Sequence, residues 1–285
     1  MTARKTTRID MHVHTMGSDG ISDARSIAKA AKKAGLDGIC ITDHHKTYTA
    51  ENLLVAQACR EIGLLVFHGC EYSTAQGHLL IYGVNAEDLQ LGFYPDMQEV
   101  IVEVYNRGGV AVPAHPYKGY KKSLKDAVKS LKYVRAYEVA NGQVAVQEPG
   151  LNIKAGEAAK ECKKLGLGGS DAHWASNVGI AYTEFQAVIT CERDFVKALR
   201  YGQFRAITSQ KRVKTKRSKY QQKQARLATL PLPKSLSSFT FNPTEEDDYY
   251  RADYTVSFDD GDFLPGWDFT DRKRRRKNKW ERGGS

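Results

Sequence analysis

The 285-residue chain is predicted to be an α/β protein, and three features of the sequence support that fold class. From residue 8 to about residue 204, apolar strand-like runs alternate with amphipathic segments. Most of the runs are apolar throughout, which is typical of parallel strands covered on both faces. Histidines and carboxylates recur where these runs end. Because parallel barrels and open parallel sheets bind ligands at the carboxyl ends of their strands, the sequence predicts a functional site there.

Seven strands and four helices are predicted. In chain order the strands cover residues 8–14, 37–43, 64–71, 78–83, 109–115, 136–141 and 166–171. The helices cover residues 23–34, 51–62, 97–106 and 155–165. Each helix is followed closely by a glycine, the residue that most often ends a helix. Repeated cycles of strand and helix favour a parallel barrel or an open sheet.

Composition divides the chain near residue 204. Residues 1–204 carry 24 Lys and Arg against 22 Asp and Glu, whereas residues 205–285 carry 19 against 11. We therefore predict a barrel domain over residues 1–204 and a basic C-terminal extension over residues 205–285. The extension has too few apolar side chains to offset the entropy cost of ordering, so we expect it to be disordered.

The positive charge of the extension bears on possible partners. A basic run can bind nucleic acid through phosphate contacts, but it can equally be a solvated tail or a localisation signal. The acidic residues between 245 and 262 could also fold back on it. Nucleic acid is therefore a predicted partner, and these other interpretations stay open.

Several classes of protein are excluded by what the sequence lacks. No apolar run approaches the roughly 20 residues of a membrane span, and a strand-like run follows the first residues directly, so we expect neither a membrane protein nor a secreted one. The five cysteines show no paired spacing, which favours a reduced, cytoplasmic protein. The absence of G-x-S-x-G and P-loop motifs argues against a serine nucleophile and against P-loop nucleotide chemistry.

The residues at the predicted strand ends suit a site for several metal ions. His12 and His14 project from one strand face because they are two residues apart, and the same spacing recurs at residues 171 and 173. Buried ionisable groups without partners cost on the order of several kcal/mol each, and divalent cations offset that cost. The candidate ligands are His12, His14, Asp19, His44, Glu71, His78, His115, Asp171 and His173.

The motifs HxH, SDG, TDH, GxE, AHP and SDAH follow one another along the chain, with a single histidine between GxE and AHP. This series resembles the PHP domain, the polymerase and histidinol phosphatase superfamily of phosphoesterases, over residues 8 to about 204. The resemblance implies a distorted (β/α)7 barrel with a trinuclear site at the strand carboxyl ends. It implies two to three divalent ions as cofactors, and mixed nitrogen and oxygen ligands suit zinc, manganese or iron.

The resemblance also assigns the candidate ligands to three metals by their positions. One metal would be held by His12, His14, Glu71 and Asp171. Glu71 would bridge to a second metal, which would also be held by His78 and His115. The third metal would be held by Asp19, His44 and His173.

Other polar residues near these motifs have two interpretations each. Asp10 and Asp43 could orient a ligand imidazole, or form an ordinary strand-start or turn hydrogen bond. His45 is interpreted as an exposed loop residue, although it could reach substrate. His68 lies three residues before Glu71 on the same strand and is expected to face away from it. The resemblance places two further residues at the rim without a role, namely Glu138 and Asn141.

The predicted reaction is hydrolysis of a phosphoester by a metal-bound hydroxide, with no catalytic side chain beyond the metal ligands. Lys46, Tyr117 and Lys118 follow ligand motifs and are predicted to bind substrate phosphate, or else to be solvated surface residues. Nucleotides or nucleic-acid ends are the favoured substrates, and a small metabolite of the histidinol phosphate type is the alternative. A second alternative is a non-catalytic scaffold that tethers a nucleic-acid machine, which should show replaced ligands. None of the nine positions is replaced.

Overall fold

Nine strands in the described part of the chain build the fold. In this computed structural model the described residues are 6–119, 123–214, 216, 219 and 222. The strands are β1 (Thr7–Val13), β2 (Gly38–Ile41), β3 (Leu65–Thr74), β4 (Gly77–Tyr82), β5 (Val110–Pro113), β6 (Ala136–Asn141), β7 (Leu165–Gly169), β8 (Ala181–Phe185) and β9 (Phe204–Thr208). Seven of them form one sheet, in the order β5-β4-β3-β2-β1-β8-β9, which curls like half a barrel, and β6 pairs with β7.

Most of these strands run in the same direction. β1, β2 and β3 are parallel, and so are β6 and β7. A parallel bridge between Val13 and Ala172 continues the end of β7 alongside β1. The exceptions are β4, which is antiparallel to β3 and β5, and β8, which is antiparallel to β1 and β9. The carboxyl ends of the other described strands therefore lie at one rim, together with the amino end of β4.

The predicted α/β class is confirmed, and each of the seven predicted strands is present as β1 to β7. The sequence interpretation omits β8 and β9, whose segments AYTEF and FRAIT mix polar with apolar residues. β9 continues the sheet to Thr208, past the boundary predicted at residue 204. Beyond residue 214 only residues 216, 219 and 222 are described, so the expected disorder of most of the extension lies outside the described residues.

Six α-helices connect the strands within the described ranges. Local sequence explains several of their ends: Asp23 accepts the Ser26 N–H at the start of the first helix, and Gly35, with φ of 73°, follows its end. Pro149 begins the fifth helix earlier than predicted, because proline suits the first helical turn. None of these helices is long and apolar enough to cross a membrane. The helices are α1 (Ala24–Lys33), α2 (Ala50–Glu61), α3 (Met97–Asn106), α4 (Gly142–Gln147), α5 (Pro149–Glu161) and α6 (Glu192–Tyr201).

An aromatic cluster joins α6 to the sheet. The Phe195 ring on α6 stacks on Phe67 of β3, with 4.2 Å between the ring centroids. Tyr82 and Phe185 meet the same ring edge-on at 5.9 and 6.2 Å. All four side chains are buried. Because burying such a side chain contributes about 1.5–3 kcal/mol, this cluster stabilises the sheet behind the rim.

Candidate metal centre

The nine side chains predicted as metal ligands come together at the rim of the sheet. They fall into three groups, in each of which the ligand atoms lie within 4.8 Å of one another. The first two groups have the membership that the sequence resemblance implies, and the third contains His14 in addition. The groups are His12, His14, Glu71 and Asp171; then Glu71, His78 and His115; then His14, Asp19, His44 and His173.

Glu71 on β3 joins two of these groups through different oxygens. Its Oε1 lies 2.8 Å from His78 Nδ1 and 3.0 Å from His115 Nε2. Its Oε2 lies 3.1 Å from the Nε2 atoms of both His12 and His14. His44 Nε2 also lies 3.6 Å from Oε2, so five imidazoles surround this buried side chain. A carboxylate presented in this way can bridge two cations.

Backbone hydrogen bonds align the first group. The Asp171 N–H donates to His12 O at 2.8 Å, and the His14 N–H donates to Ala172 O at 3.0 Å. The residues after β7 are thereby set beside β1. Asp171 and His115 have positive φ angles of 53° and 26°. Such backbone costs a non-glycine residue about 1–3 kcal/mol and is concentrated at functional sites.

His78 reaches the rim from the opposite direction to the one expected. The sequence predicts a site at the carboxyl ends of parallel strands, but His78 is the second residue of β4, which is antiparallel to β3. The hairpin pairs His78 with Ser73, two residues beyond Glu71. The amino end of an antiparallel strand lies beside the carboxyl end of its neighbour, so the imidazole still meets Glu71.

The third group depends on the loop after β1, which carries Asp19. Asp19 Oδ2 lies 2.9 Å from His173 Nε2 and 3.6 Å from His44 Nε2. Asp19 Oδ1 lies 3.3 Å from His14 Nδ1, which explains why His14 belongs to this group as well. The side chains of Asp19 and His44 are 43 % and 24 % exposed, whereas His14 is buried. The centre therefore opens to solvent beside Asp19 and His44, and also beside His78, whose side chain is 39 % exposed.

Asp10 and Asp43 hold the backbone around the centre. Asp43 Oδ1 accepts the Thr15 N–H at 2.7 Å and so supports the loop after β1. Asp10 accepts the N–H groups of Ser170 and Gly179 at 2.7 Å each. Of the two interpretations that the sequence leaves open, these contacts correspond to the structural hydrogen bonds.

Two buried residues of β6 hold the ligands from behind. Glu138 Oε1 accepts a hydrogen bond from His12 Nδ1 at 3.0 Å, and its Oε2 accepts the His115 N–H at 2.7 Å. Asn141 Nδ2 donates to Glu138 Oε2 and to Asp171 Oδ2, at 3.1 Å each. Sequence reasoning assigns these residues no role. In the structure they connect ligands that come from three different strands or strand ends.

Gln143, which follows in α4, is a buried residue of the centre that sequence reasoning missed. Its Nε2 donates to Asp171 O and lies 2.9 Å from both that oxygen and His173 Nδ1. Its Oε1 accepts from Lys118 Nζ at 2.9 Å. Its position could have identified it, because Gly142 and Gln143 directly follow the predicted strand 136–141, whose end lies at the rim.

The buried carboxylates of the centre favour bound positive charge. Burial lowers the pKa of His12, but Glu71 and Asp171 outweigh burial and raise it well above its usual value. Burial also lowers the pKa of His14, but Asp171 and Glu71 outweigh burial and raise this pKa to about 10. Burial raises the pKa of Glu71 and Asp171, yet the histidines and Lys118 hold it well below the usual range. The Nε2 atoms of His12 and His14 also lie 3.1 Å apart, so two lone pairs converge unless a proton or a cation binds there. This nitrogen and oxygen donor set suits divalent metal ions.

The three predicted phosphate-binding residues differ in their positions. Lys118 Nζ lies 2.9 Å from Asp171 Oδ2, and its side chain is 10 % exposed, so it lies within the centre. Tyr117 donates its hydroxyl to Asp126 Oδ1 at 3.0 Å, on the short 3₁₀ helix Lys125–Ser130. Lys46 is exposed on the loop after β2. Their roles in substrate binding stay predictions.

His45 and His68 lie outside the three groups. His45 is exposed, and its ring centroid lies 5.7 Å from that of Tyr72. Burial lowers the pKa of His68, and its Nδ1 has no hydrogen-bond partner among the described residues. The His68 ring lies beside Tyr48, 5.0 Å between centroids, and not at the rim.

Comparison with known sequences relates this arrangement to other proteins. A model described as the PHP domain matches residues 10–133, and one described as PHP-associated matches residues 149–204. An uncharacterized protein of Methanocaldococcus jannaschii is 30 % identical over 132 residues, which is 42 % of this chain and 74 % of that relative. A probable phosphatase of Caldicellulosiruptor bescii is 27 % identical over 217 residues, which is 66 % of this chain and 88 % of that relative.

Solved structures share the fold. PsfC from Pseudomonas syringae has a TM-score of 0.59 at 21 % identity, covering 77 % of this chain and 99 % of that chain. A lesion-specific endonuclease from Pyrococcus furiosus has a TM-score of 0.52 at 17 % identity, covering 70 % of this chain and 57 % of that chain. At these identities the likeness establishes the fold alone.

Proposed function

The chain belongs to the PHP family, and on that premise we propose that it is a metal-dependent phosphoesterase that acts on nucleotides or nucleic-acid ends. The observation that carries the proposal is the sharing of Glu71 between two groups of candidate ligands. Two cations held on the two oxygens of one carboxylate would lie side by side, which is the arrangement used in phosphoester hydrolysis.

Each ligand group is proposed to hold one divalent cation. The first cation would be held by His12, His14, Glu71 and Asp171 and the second by Glu71, His78 and His115. The third would be held by Asp19, His44 and His173, beside His14. Bound cations of this kind supply an activated water and stabilise charge on phosphoryl oxygens. Zinc, manganese and iron all suit these ligands.

The side chains of the protein orient the ligands and admit the phosphate. Glu138 accepts a hydrogen bond from His12 Nδ1 and thereby turns His12 Nε2 toward Glu71. His12 is fully buried, so water is excluded from that side of the centre. A phosphate would enter past Asp19, on the open side, and the ammonium group of Lys118 would offer it a positive charge in a largely desolvated position.

Two observations favour a nucleotide or nucleic-acid substrate. The excess positive charge of residues 205–285 suits a polyanion. A solved structure that shares the fold is described as a lesion-specific endonuclease, which supports a nucleic-acid substrate for this chain. The second candidate is a small-metabolite phosphatase, for example of the histidinol phosphate type, and it is favoured by the name of the bacterial relative, a probable phosphatase.

The proposal is tested by measuring metal content and hydrolysis together. Full-length protein purified without chelator is analysed by plasma mass spectrometry, then assayed on bis(p-nitrophenyl) phosphate, nucleoside monophosphates, a 5′-phosphorylated oligonucleotide and histidinol phosphate. Asp171→Asn should reduce hydrolysis at least about 100-fold, because it removes a charged ligand near the substrate phosphate. The matched control is Asp88→Asn, which makes the same change at an exposed carboxylate.

Four results would count against this function. Less than one divalent ion per chain would contradict the multinuclear centre. Full activity of Asp171→Asn would place the active site elsewhere. A preference for histidinol phosphate would transfer the assignment to the metabolite phosphatase, and metal-loaded protein that hydrolyses none of the four substrates would support the non-catalytic scaffold.

A further inference from the structure

A basic helical segment is attached to the loop that follows the metal centre. Residues 210–214 are helical, and so are residues 216, 219 and 222. Arg212 Nη2 donates to Ser176 O at 3.2 Å, and Lys216 Nζ donates to Ser176 Oγ at 2.8 Å. Ser176 lies three residues after His173. The attachment point is therefore next to a candidate metal ligand.

Apolar packing and backbone hydrogen bonds hold the same segment in place. Val213 is buried and packs with Ala145 and Ile180. The Ser209 N–H donates to Ile180 O at 2.8 Å, which fixes the start of the segment. Ala145 lies on α4, two residues after Gln143 of the centre. The segment thus rests on two elements that both carry residues of the metal centre.

The outward side of the segment is cationic. Lys211, Lys214 and Lys219 are exposed, and we call these three residues the basic surface. Residues 209–226 contain eight Lys and Arg and no Asp or Glu. Burial, and then the charges of Lys219 and Arg212, lower the pKa of Lys216. Like charges are therefore crowded here, and a bound polyanion would relieve their repulsion.

Trp174 lies along the chain between the centre and the attachment point. It directly follows His173, with 6.5 Å between the ring centroids, and it is 42 % exposed. Proteins bind single-stranded nucleic acid by stacking bases on aromatic rings while cationic side chains contact the phosphates. A duplex keeps its bases stacked on one another, so the pairing of Trp174 with a basic surface favours a single strand.

We propose that the basic surface and Trp174 bind single-stranded nucleic acid and direct its backbone to the metal centre. The substrate class rests on the proposed function, and the surface itself goes beyond it. His12 and His14 are almost completely buried, so a scissile phosphate has to approach them from an exposed side of the centre, such as the side beside Asp19. The loop from His173 to Ser176 connects that side to the basic surface.

The test compares two triple variants of the full-length protein. One is Lys211→Gln/Lys214→Gln/Lys219→Gln. The other is the matched control Lys33→Gln/Lys160→Gln/Lys197→Gln, which removes the same charge from exposed positions on α1, α5 and α6. Binding of a fluorescein-labelled single-stranded oligonucleotide is measured by anisotropy across a salt series with EDTA present, so that binding does not depend on hydrolysis. Trp174→Ala and Trp174→Phe are measured in the same way.

The basic-surface variant should bind at least tenfold more weakly at low salt than the control. The slope of log affinity against log salt should fall by about 2, since each lost phosphate contact removes about 0.7 from the slope. Trp174→Ala should weaken binding about tenfold, and Trp174→Phe should restore most of it. Thermal unfolding of every variant is compared with the wild type to detect folding defects.

Equal weakening in the two triple variants would overturn the proposal, because net charge alone would then explain binding. So would an unchanged salt slope, or binding to phosphatidylserine vesicles without affinity for the oligonucleotide, which would indicate a membrane surface as partner. Failure of hydrolysis with intact oligonucleotide binding would contradict the proposed function and leave the binding surface standing.

Discussion

Glu138 Oε1 lies 3.0 Å from His12 Nδ1, and both side chains are fully buried. A carboxylate accepts here, so Nδ1 of His12 carries a proton, and Nε2, on the side of Glu71, is the atom left to bind a cation. One residue of β6 thereby determines the tautomer and the orientation of an imidazole on β1.

Glu138→Gln is expected to weaken metal binding about 10- to 100-fold. An amide can accept from His12 on one side, but its NH₂ group would then face the His115 N–H and Asn141 Nδ2, which are donors. Affinity is measured by competition with a chromogenic chelator. Glu103→Gln on α3 is the control, and equal affinities of the two variants would contradict the orienting role.

Metal binding at pH 7 is expected to release at least one proton. Without metal, His14 has a pKa of about 10 and that of His12 is raised well above the usual value, so both imidazoles hold protons at this pH. Cations bind the neutral ring, hence affinity should rise with pH. Calorimetric titrations in buffers of different ionisation enthalpy measure the release. An apparent enthalpy that is the same in every buffer would refute it.

Gly169→Ala is expected to destabilise the protein by about 1–3 kcal/mol, the range for overpacking a core. An added Cβ would overlap His12 Cβ and lie 2.8 Å from His12 N. Gly156→Ala on α5 is the control, because nothing lies within 4 Å there and alanine favours a helix by about 0.5–1 kcal/mol. Urea unfolding compares the two, and destabilisation by both would show that the effect is not specific to His12.

Phe195→Ala is expected to cost about 3–5 kcal/mol of unfolding free energy, because it empties the centre of the aromatic cluster between α6 and the sheet. Tyr201→Ala, at the exposed end of the same helix, should stay within about 0.5 kcal/mol. Denaturant titration measures both changes. A loss below 1 kcal/mol at Phe195 would show that α6 is held mainly by other contacts.

The candidate ligands could be found from sequence because each lies in a short motif at the end of an apolar run, as His12-x-His14 does. The supporting residues could not, because their contacts join distant parts of the chain. Glu138 meets His12 across 126 residues, and Gln143 meets His173 across 30. No local pattern contains such a pair.

The direction of β4 and the presence of β8 and β9 could not be predicted from the sequence either. An apolar run has the same sequence pattern whether its strand is parallel or antiparallel. The sequence therefore does not indicate that β4 runs antiparallel to β3 and brings His78 to the rim at its amino end. The sequence does not predict β8, because a glutamate such as Glu184 is typical of a surface residue. In the structure Glu184 pairs with Arg8 at 2.9 Å and with Arg205 at 2.7 Å, which compensates its charge within the sheet.

The hairpin of β3 and β4 gives the centre one local contact beside contacts between distant parts of the chain. Glu71 and His78 are seven residues apart on paired strands, so local pairing alone brings them together. Asp19 and His173 are 154 residues apart and meet only when the end of β7 lies beside β1. Opening of the C-terminal strands would thus remove Asp171 from the first group and His173 from the third, and would leave the second group intact. Hydrogen exchange should be slower in β3 and β4 than in the residues around His173, and the two kinds of metal position should be lost one after the other.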